Sequence, residues 1–158
     1  IEEVDVFQAP YVCLTGGEPL LQKESFELMT KLCDREYHVS LETSGAKSIR
    51  GVDPRVKIIL DVKTPDSGAA DSFVMENLQF CSSSTEFKFV ICSEIDFEWS
   101  EKFCQQHDLF SKYLVLYSPA FESISTQWLA EKMLKSKSNA RLHMQLHKYI
   151  WAPETRGV

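Results

Sequence analysis

The sequence predicts an α/β fold built on a largely parallel sheet. Three observations carry that prediction: short runs of β-branched and aromatic residues recur roughly every 20 to 30 positions, helical patterns lie between several of them, and the first three runs each end abruptly in polar residues. Alternation of strand and helix is the mark of parallel strands joined by crossovers. A chain of 158 residues holds about five strand-helix-strand units of ~30 residues, whereas a closed eightfold barrel needs ~250. A complete barrel of that kind is excluded.

Taken in order, the candidate strands are Tyr11 to Thr15, His38 to Glu42, Lys57 to Asp61, Glu86 to Ile91, Tyr113 to Ser118 and Arg141 to Leu146. Each is short and rich in strand-forming residues. Two helices stand out between them. Ser25 to Arg35 places Phe26, Met29, Leu32 and Cys33 on one face, and Thr126 to Lys135 is built around Trp128, Leu129 and Met133. The link from Glu42 to Lys57 is short and contains Gly45, Gly51 and Pro54, so that crossover is expected to carry no proper helix. Ser82-Ser83-Ser84-Thr85 reads as a surface turn. With no repeat, low-complexity tract or linker, residues 1–158 read as a single domain.

Composition narrows the function classes. Hydrophobic residues make up 44%, aromatic 11% and charged 25%, ordinary values for a globular chain rather than a disordered or fibrous one. Lys+Arg 17 against Asp+Glu 23 gives a net charge of −6 with no basic run. Nucleic-acid or anionic-membrane binding driven by charge is disfavoured. No apolar stretch approaches the ~20 residues that span a bilayer, and Ile1-Glu2-Glu3-Val4-Asp5 lacks the basic flank and apolar centre of a signal peptide. These features read as a cytosolic protein. The five cysteines, at 13, 33, 81, 92 and 104, are odd in number and nowhere close-spaced, so neither a zinc site nor a redox pair is expected. Cys13, Cys33 and Cys92 sit in apolar runs, where a reduced thiol behaves as a small hydrophobe.

The candidate site is drawn from the strand ends: Thr15-Gly16-Gly17-Glu18-Pro19 after the first strand, Glu42-Thr43-Ser44-Gly45 after the second and Asp61-Val62-Lys63-Thr64-Pro65 after the third. Ligand sites in parallel α/β folds lie at the carboxyl ends of the strands. Gly16-Gly17 permits positive φ and leaves the main chain open to a ligand. Glu18 then either accepts hydrogen bonds from an ammonium group or sits in the first turn of a helix beside Pro19. A phosphate loop fits less well, since the segment lacks the Lys-Ser/Thr ending. Glu42 could take two ribose hydroxyls with Thr43 or Ser44 adding a contact, or the group could be a turn. Asp61 and Lys63 project to one side in extended geometry, as ligand contacts or as a surface ion pair.

On the last strand a period of two puts His143, Gln145 and His147 on one face and Leu142, Met144 and Leu146 on the other. The polar wall either faces a ligand or is a set of satisfied buried groups. On a strand, His143 and His147 stand about 13 Å apart, which rules out a shared metal.

Read together, Leu-Thr-Gly-Gly-Glu-Pro (14 to 19), Leu-Glu-Thr-Ser-Gly (41 to 45), Asp-Val-Lys-Thr-Pro-Asp-Ser-Gly (61 to 68), Glu-Phe-Lys-Phe-Val-Ile (86 to 91) and Gln-Leu-His-Lys-Tyr-Ile-Trp (145 to 151), closing on Arg156-Gly157-Val158, strongly resemble the 7-carboxy-7-deazaguanine synthase family of radical S-adenosylmethionine (SAM) enzymes over the whole chain. Gly-Gly-Glu-Pro marks only the superfamily. The Gln-x-His-Lys ending with Asp-Val-Lys-Thr-Pro selects this member.

The resemblance implies a partial, incomplete TIM-like barrel of mainly parallel strands and a lyase of queuosine and 7-deazapurine biosynthesis. That enzyme contracts the ring of 6-carboxy-5,6,7,8-tetrahydropterin, with loss of ammonia, to 7-carboxy-7-deazaguanine. It implies SAM, a [4Fe-4S] cluster and Mg²⁺ as cofactors, a flavodoxin-type reductant and a homodimer. Position by position, Gly16, Gly17 and Glu18 would meet the aminoacyl part of SAM, Glu42 and Ser44 its ribose side, and Asp61, Val62 and Lys63 a further part. Thr15, Gln145, His147, Lys148 and the Val158 carboxylate would face the pterin.

One departure stands out. The family carries an N-terminal segment with a first strand, a three-cysteine cluster loop and a Mg²⁺-binding threonine, whereas this sequence opens just before the Gly-Gly-Glu-Pro strand. None of the five cysteines can substitute, because three thiolates must come from one short loop. The chain therefore reads as an N-terminally shortened synthase, inactive in this form. Two alternatives stand beside it: another radical SAM protein such as a glycyl-radical activating enzyme, and a non-catalytic SAM- or pterin-binding module.

Overall fold

The computed structural model describes residues 1–121, 123–152 and 155. Its strands are β1 (Tyr11–Leu14), β2 (His38–Thr43), β3 (Lys57–Val62), β4 (Glu86–Ile91), β5 (Leu114–Pro119) and β6 (Arg141–Leu142), and they follow chain order in one sheet. The pairs β1–β2, β2–β3 and β5–β6 are parallel. The expected open α/β architecture is the observed one. Packing divides the chain into two compact units, residues 1–62 with 72–87 and residues 63–71 with 88–158.

In the first unit, β2 and β3 alternate strictly. Val39, Leu41, Thr43, Ile58, Leu60 and Val62 are buried, while Ser40, Glu42, Ile59 and Asp61 line the half-buried opposite face. The sequence therefore builds one buried, largely apolar face and one half-buried, largely polar face into the same strands. Helix α1 (Glu2–Asp5) precedes β1, and its Asp5 carboxylate accepts from Arg35 Nη1 at 2.8 Å and Tyr37 Oη at 2.5 Å. Helix α2 (Glu24–Asp34) packs against β2 through Met29 and Leu32, which lie three residues apart on one face. It ends where Glu36 takes φ +65°, with Glu36 N–H returning to Cys33 O and Tyr37 N–H to Leu32 O. Those two bonds satisfy orphan carbonyls of the last turn. As expected, the β2–β3 connection carries no helix. The Ser82–Thr85 turn also forms, closed by Thr85 N–H to Ser82 O at 3.0 Å.

The second unit is organised by aromatic rings. Helix α3 (Glu94–Gln106) presents Phe97, Ser100, Phe103 and Cys104 inward. Phe89 of β4 and Tyr117 of β5 meet Phe97 and Phe103 in edge-on pairs, with ring centroids 5.7 to 5.9 Å apart. Helix α4 (Leu109–Lys112) leads into β5, and α5 (Thr126–Ser136), capped by Ser125 Oγ accepting from Trp128 N–H, buries Leu129 and Met133. The final helix is α6 (His147–Ile150).

The last strand departs from expectation. It was expected to run to Leu146 with His143, Gln145 and His147 on one face, yet β6 stops at Leu142 and His147 opens α6. The reason lies on the neighbouring strand. The β5–β6 ladder continues as far as His143 N–H to Tyr117 O at 2.8 Å. In parallel pairing the next bond would run from residue 119 to the His143 carbonyl, and Pro119 has no N–H to donate. The chain turns instead, with Leu146 N–H on Met144 O and Lys148 N–H on Gln145 O. Leu146, expected on the apolar face of that strand with Leu142 and Met144, is 62% exposed.

Candidate functional site

The site is built at the carboxyl ends of the strands, beginning with the turn after β1. Thr15, Gly16 and Gly17 are exposed, and the two glycines take φ +90° and +37°. Any other residue would be strained there. A Cβ placed on either glycine meets nothing within 4 Å, so the main chain faces an open space. The turn edges a cavity of about 470 Å³ that Thr15, Gly16, Gly17 and Glu18 help to line.

Glu18 closes the turn and lies just before the helical turn rather than within it. Its backbone is extended and its carboxylate caps the single turn Pro19–Leu21, with Oε1 accepting from Leu20 N–H at 3.2 Å. The same Oε1 accepts from Thr43 Oγ1 at 2.7 Å, and Oε2 accepts from Ser44 N–H at 3.0 Å and Ser44 Oγ at 2.5 Å. Burial by itself would raise this carboxyl, but the hydrogen bonds from Ser44, Thr43 and Leu20 outweigh it and hold its pKa below the ordinary 4.5. The turn after β1 and the end of β2 are thus one hydrogen-bonded structure.

Glu42 lies on the half-buried face of β2 and Asp61 on the matching face of β3, two residues beyond Ile59, the register partner of Glu42. Val62 ends β3 with its side chain in the core, so any ligand contact it makes is through its main chain. The loop after Ser44 is anchored by a residue that the sequence reading passed over. Asn77, fully buried, accepts from Ile49 N–H at 3.0 Å and donates to the carbonyls of Gly45 at 2.9 Å and Lys47 at 3.0 Å. Gly45 takes φ +69° under the Phe73 ring, where a Cβ would stand 2.6 Å from ring carbons. No local pattern marks Asn77.

In the second unit, Lys63 is half-buried and opens a segment fixed by buried polar groups. Thr64 Oγ1 donates to Val90 O at 3.1 Å. The fully buried Asp96 accepts from Asp66 N–H and Cys92 N–H, both at 2.9 Å. Its own N–H bonds the Ser93 hydroxyl at 3.2 Å. Ser93-x-x-Asp96 is a capping-box pattern, and that signal could have revealed the start of α3. Gln145 helps to line a cavity of about 440 Å³ with Phe121, Ser123, Thr126 and Tyr149. Lys148 Nζ lies 5.3 Å from the centre of the Phe121 ring. The side chain of His147 and all of Val158 lie outside the described residues.

Among the described residues no three His, Cys, Asp or Glu side chains come together to hold a metal ion. The cysteines stand apart in the chain, Cys33 and Cys104 buried and Cys13 exposed. No described helix is long and apolar enough to cross a membrane.

No family model matches the chain. Curated proteins do. It is 40% identical to the 7-carboxy-7-deazaguanine synthase of Chlorobaculum tepidum, over all of this chain and 73% of that protein. It is also 40% identical to that of Koribacter versatilis, over 92% of this chain and 70% of that protein. The enzyme of the same name from Clostridium acetobutylicum is 34% identical, over 93% of this chain and 69% of that protein. Among solved structures, Streptococcus suis SuiB superposes with a TM-score of 0.60 at 10% identity, covering 91% of this chain and 42% of SuiB. SuiB bound to S-adenosylmethionine gives 0.55 at 10% identity, covering 85% of this chain and 37% of SuiB. The chain spans less than half of either structure, and at that identity the likeness is one of fold.

Proposed function

Since the chain belongs to the 7-carboxy-7-deazaguanine synthase family, we propose that it serves the ring contraction of 6-carboxy-5,6,7,8-tetrahydropterin to 7-carboxy-7-deazaguanine. The product is the substrate less one ammonia, so the net reaction needs no external oxidant or reductant. SAM in this reading is a reusable cofactor rather than a consumed reagent. The observation that carries the reading is the exposed Gly16–Gly17 turn, bonded through Glu18 to the end of β2, in a chain 40% identical to named synthases.

SAM fits the residues present. The two glycines leave main-chain groups open where a ligand can approach, with no side chain in the way. The Gly16–Gly17–Glu18 turn would hold its aminoacyl end, Glu42 and Ser44 its ribose side, and Asp61, Val62 and Lys63 a further part. When bound, SAM supplies the one-electron chemistry that starts the ring contraction. The chain's own residues bind and orient. Thr15 would face the pterin, and Gln145, His147, Lys148 and the Val158 carboxylate are the remaining proposed substrate contacts.

The described cysteines do not fit a four-iron cluster, which needs thiolates drawn together, and among the described residues no three His, Cys, Asp or Glu side chains gather around one point for a metal ion. No step is derived through either. A flavodoxin-type reductant, a homodimer, a cytosolic location and service of the whole chain as one domain belong to the same proposal.

The test is anaerobic incubation of the protein, expressed at its full encoded length, with the pterin, SAM, Mg²⁺ and a reductant, followed by mass spectrometry. The expected result is 7-carboxy-7-deazaguanine and equimolar ammonia. SAM binding without product would favour a non-catalytic module. SAM cleavage indifferent to the pterin would favour another radical enzyme.

A further inference from the structure

We propose that Thr43 is a positioning residue of the SAM site: its hydroxyl fixes Glu18 as a strut, and the strut sets the Gly16–Gly17 turn. The inference rests on the reading of that turn as the aminoacyl site. It begins from a residue in an unusual place. Thr43 is the last residue of β2 and lies on the apolar face with Val39 and Leu41, only 2% exposed. A hydroxyl there must be satisfied within the protein.

It is satisfied on both sides, and the chemistry fixes the direction. Gly45 N–H can only donate, and it bonds Thr43 Oγ1 at 3.1 Å. The single hydroxyl proton is therefore free to go to Glu18 Oε1, 2.7 Å away. One atom thus links the loop after β2 to the turn after β1.

The count of acceptor positions completes the argument. A carboxylate offers about four lone-pair directions. Leu20 N–H and Thr43 Oγ1 take two on Oε1, and Ser44 N–H and Ser44 Oγ take two on Oε2. Glu18 is held from four sides by this chain, which leaves the main chain of the Gly16–Gly17 turn to meet the ligand. Three of the four donor groups come from β2 or the residue after it, so the position of the turn is set by its neighbour strand. Thr43→Val keeps the shape, removes the proton that reaches Glu18 and strands the Gly45 N–H. Thr43→Ser keeps the hydroxyl.

The experiment compares wild type, Thr43→Val, Thr43→Ser, Glu18→Ala and the Glu18→Ala/Thr43→Val double variant. SAM affinity is read by calorimetry and amide exchange of Gly16, Gly17 and Ser44 by NMR without ligand. Thr43→Val should weaken SAM binding about tenfold, the size of one lost charge-assisted hydrogen bond, and speed exchange at Gly17 and Ser44. Thr43→Ser should restore both, a rescue that a loss of packing alone would not show. The double variant should bind no more weakly than Glu18→Ala, because both changes break the same strut. Wild-type affinity and unchanged exchange in Thr43→Val would overturn the inference, as would additive effects, which would mean that Thr43 and Glu18 act independently. A wild type that does not bind SAM would sink the proposed function, and the exchange data would still decide whether Thr43 sets the turn.

Discussion

Replacing Asn77 by alanine tests whether the loop beyond Ser44 is held by one buried side chain. The side chain makes three hydrogen bonds, to Ile49 N–H, Gly45 O and Lys47 O. Their loss is unequal. Gly45 O keeps the Val74 N–H at 2.9 Å, and Lys47 is exposed, so water can replace its partner. Ile49 is buried, and its N–H would be stranded. A stranded buried donor costs about 1–3 kcal/mol and a lost but re-solvated bond about 0.5–1.5 kcal/mol. The sum is roughly 2–4 kcal/mol, or a fall in Tm of roughly 5–15 °C for a chain of this length. Thermal and urea unfolding followed by circular dichroism would measure it.

Asn77→Asp sharpens the test, because it keeps the acceptor for Ile49 but turns a carboxylate oxygen towards two carbonyls that now lie 2.9 and 3.0 Å from the amide nitrogen. At neutral pH it should be less stable than the alanine variant. Burial and the facing carbonyls raise the new carboxyl's pKa in the folded state. The native state then binds more protons than the unfolded one, and the deficit should shrink as pH falls. A loss below ~1 kcal/mol for Asn77→Ala, smaller than a single stranded donor would cause, would refute the anchoring role. Equal stability of the two variants at all pH values would do the same.

The glycines should rank by surroundings: Gly16→Ala and Gly17→Ala cost only the left-handed backbone, about 1–2 kcal/mol, while Gly45→Ala adds a collision with Phe73 of about 1–3 kcal/mol. Equal melting temperatures for all three would contradict that ranking. Glu18 has a lowered carboxyl pKa, so its stabilisation should be present above the ordinary 4.5 and lost as pH falls through the folded-state value. Glu18→Gln should flatten that part of the acid stability curve, and an unchanged curve would argue against the strut. Thiol labelling should reach the exposed Cys13 first, whereas burial raises Cys81 to about 11 and Cys104 to about 12. Cys104 should react only after unfolding, and equal native rates would show that this core opens readily.

Strand and turn identity were legible from residues 1 to 5 places apart. Alternation in His38-Val-Ser-Leu-Glu42 and the β-branched run in Lys57-Ile-Ile-Leu-Asp61 mark strands, and Gly16-Gly17 marks a turn, because φ, ψ and side-chain direction are local properties. The family was legible for a related reason, since its motifs are such local groups at strand ends. What the tertiary structure decided is where each polar group finds its partner. The end of β6 was set by Pro119 on another strand, which no pattern within Arg141 to Leu146 reveals. Glu18 was readable as a ligand contact or as part of the first helical turn, and residues 25 and 26 positions away determined that its carboxylate ties two strand ends together. Asn77 and Asp96 became anchors only because folding brought main-chain groups 28 to 32 and 30 positions away to their side chains. A hydrogen bond needs donor and acceptor within about 3 Å, and for groups so distant in sequence only the packed fold supplies that proximity.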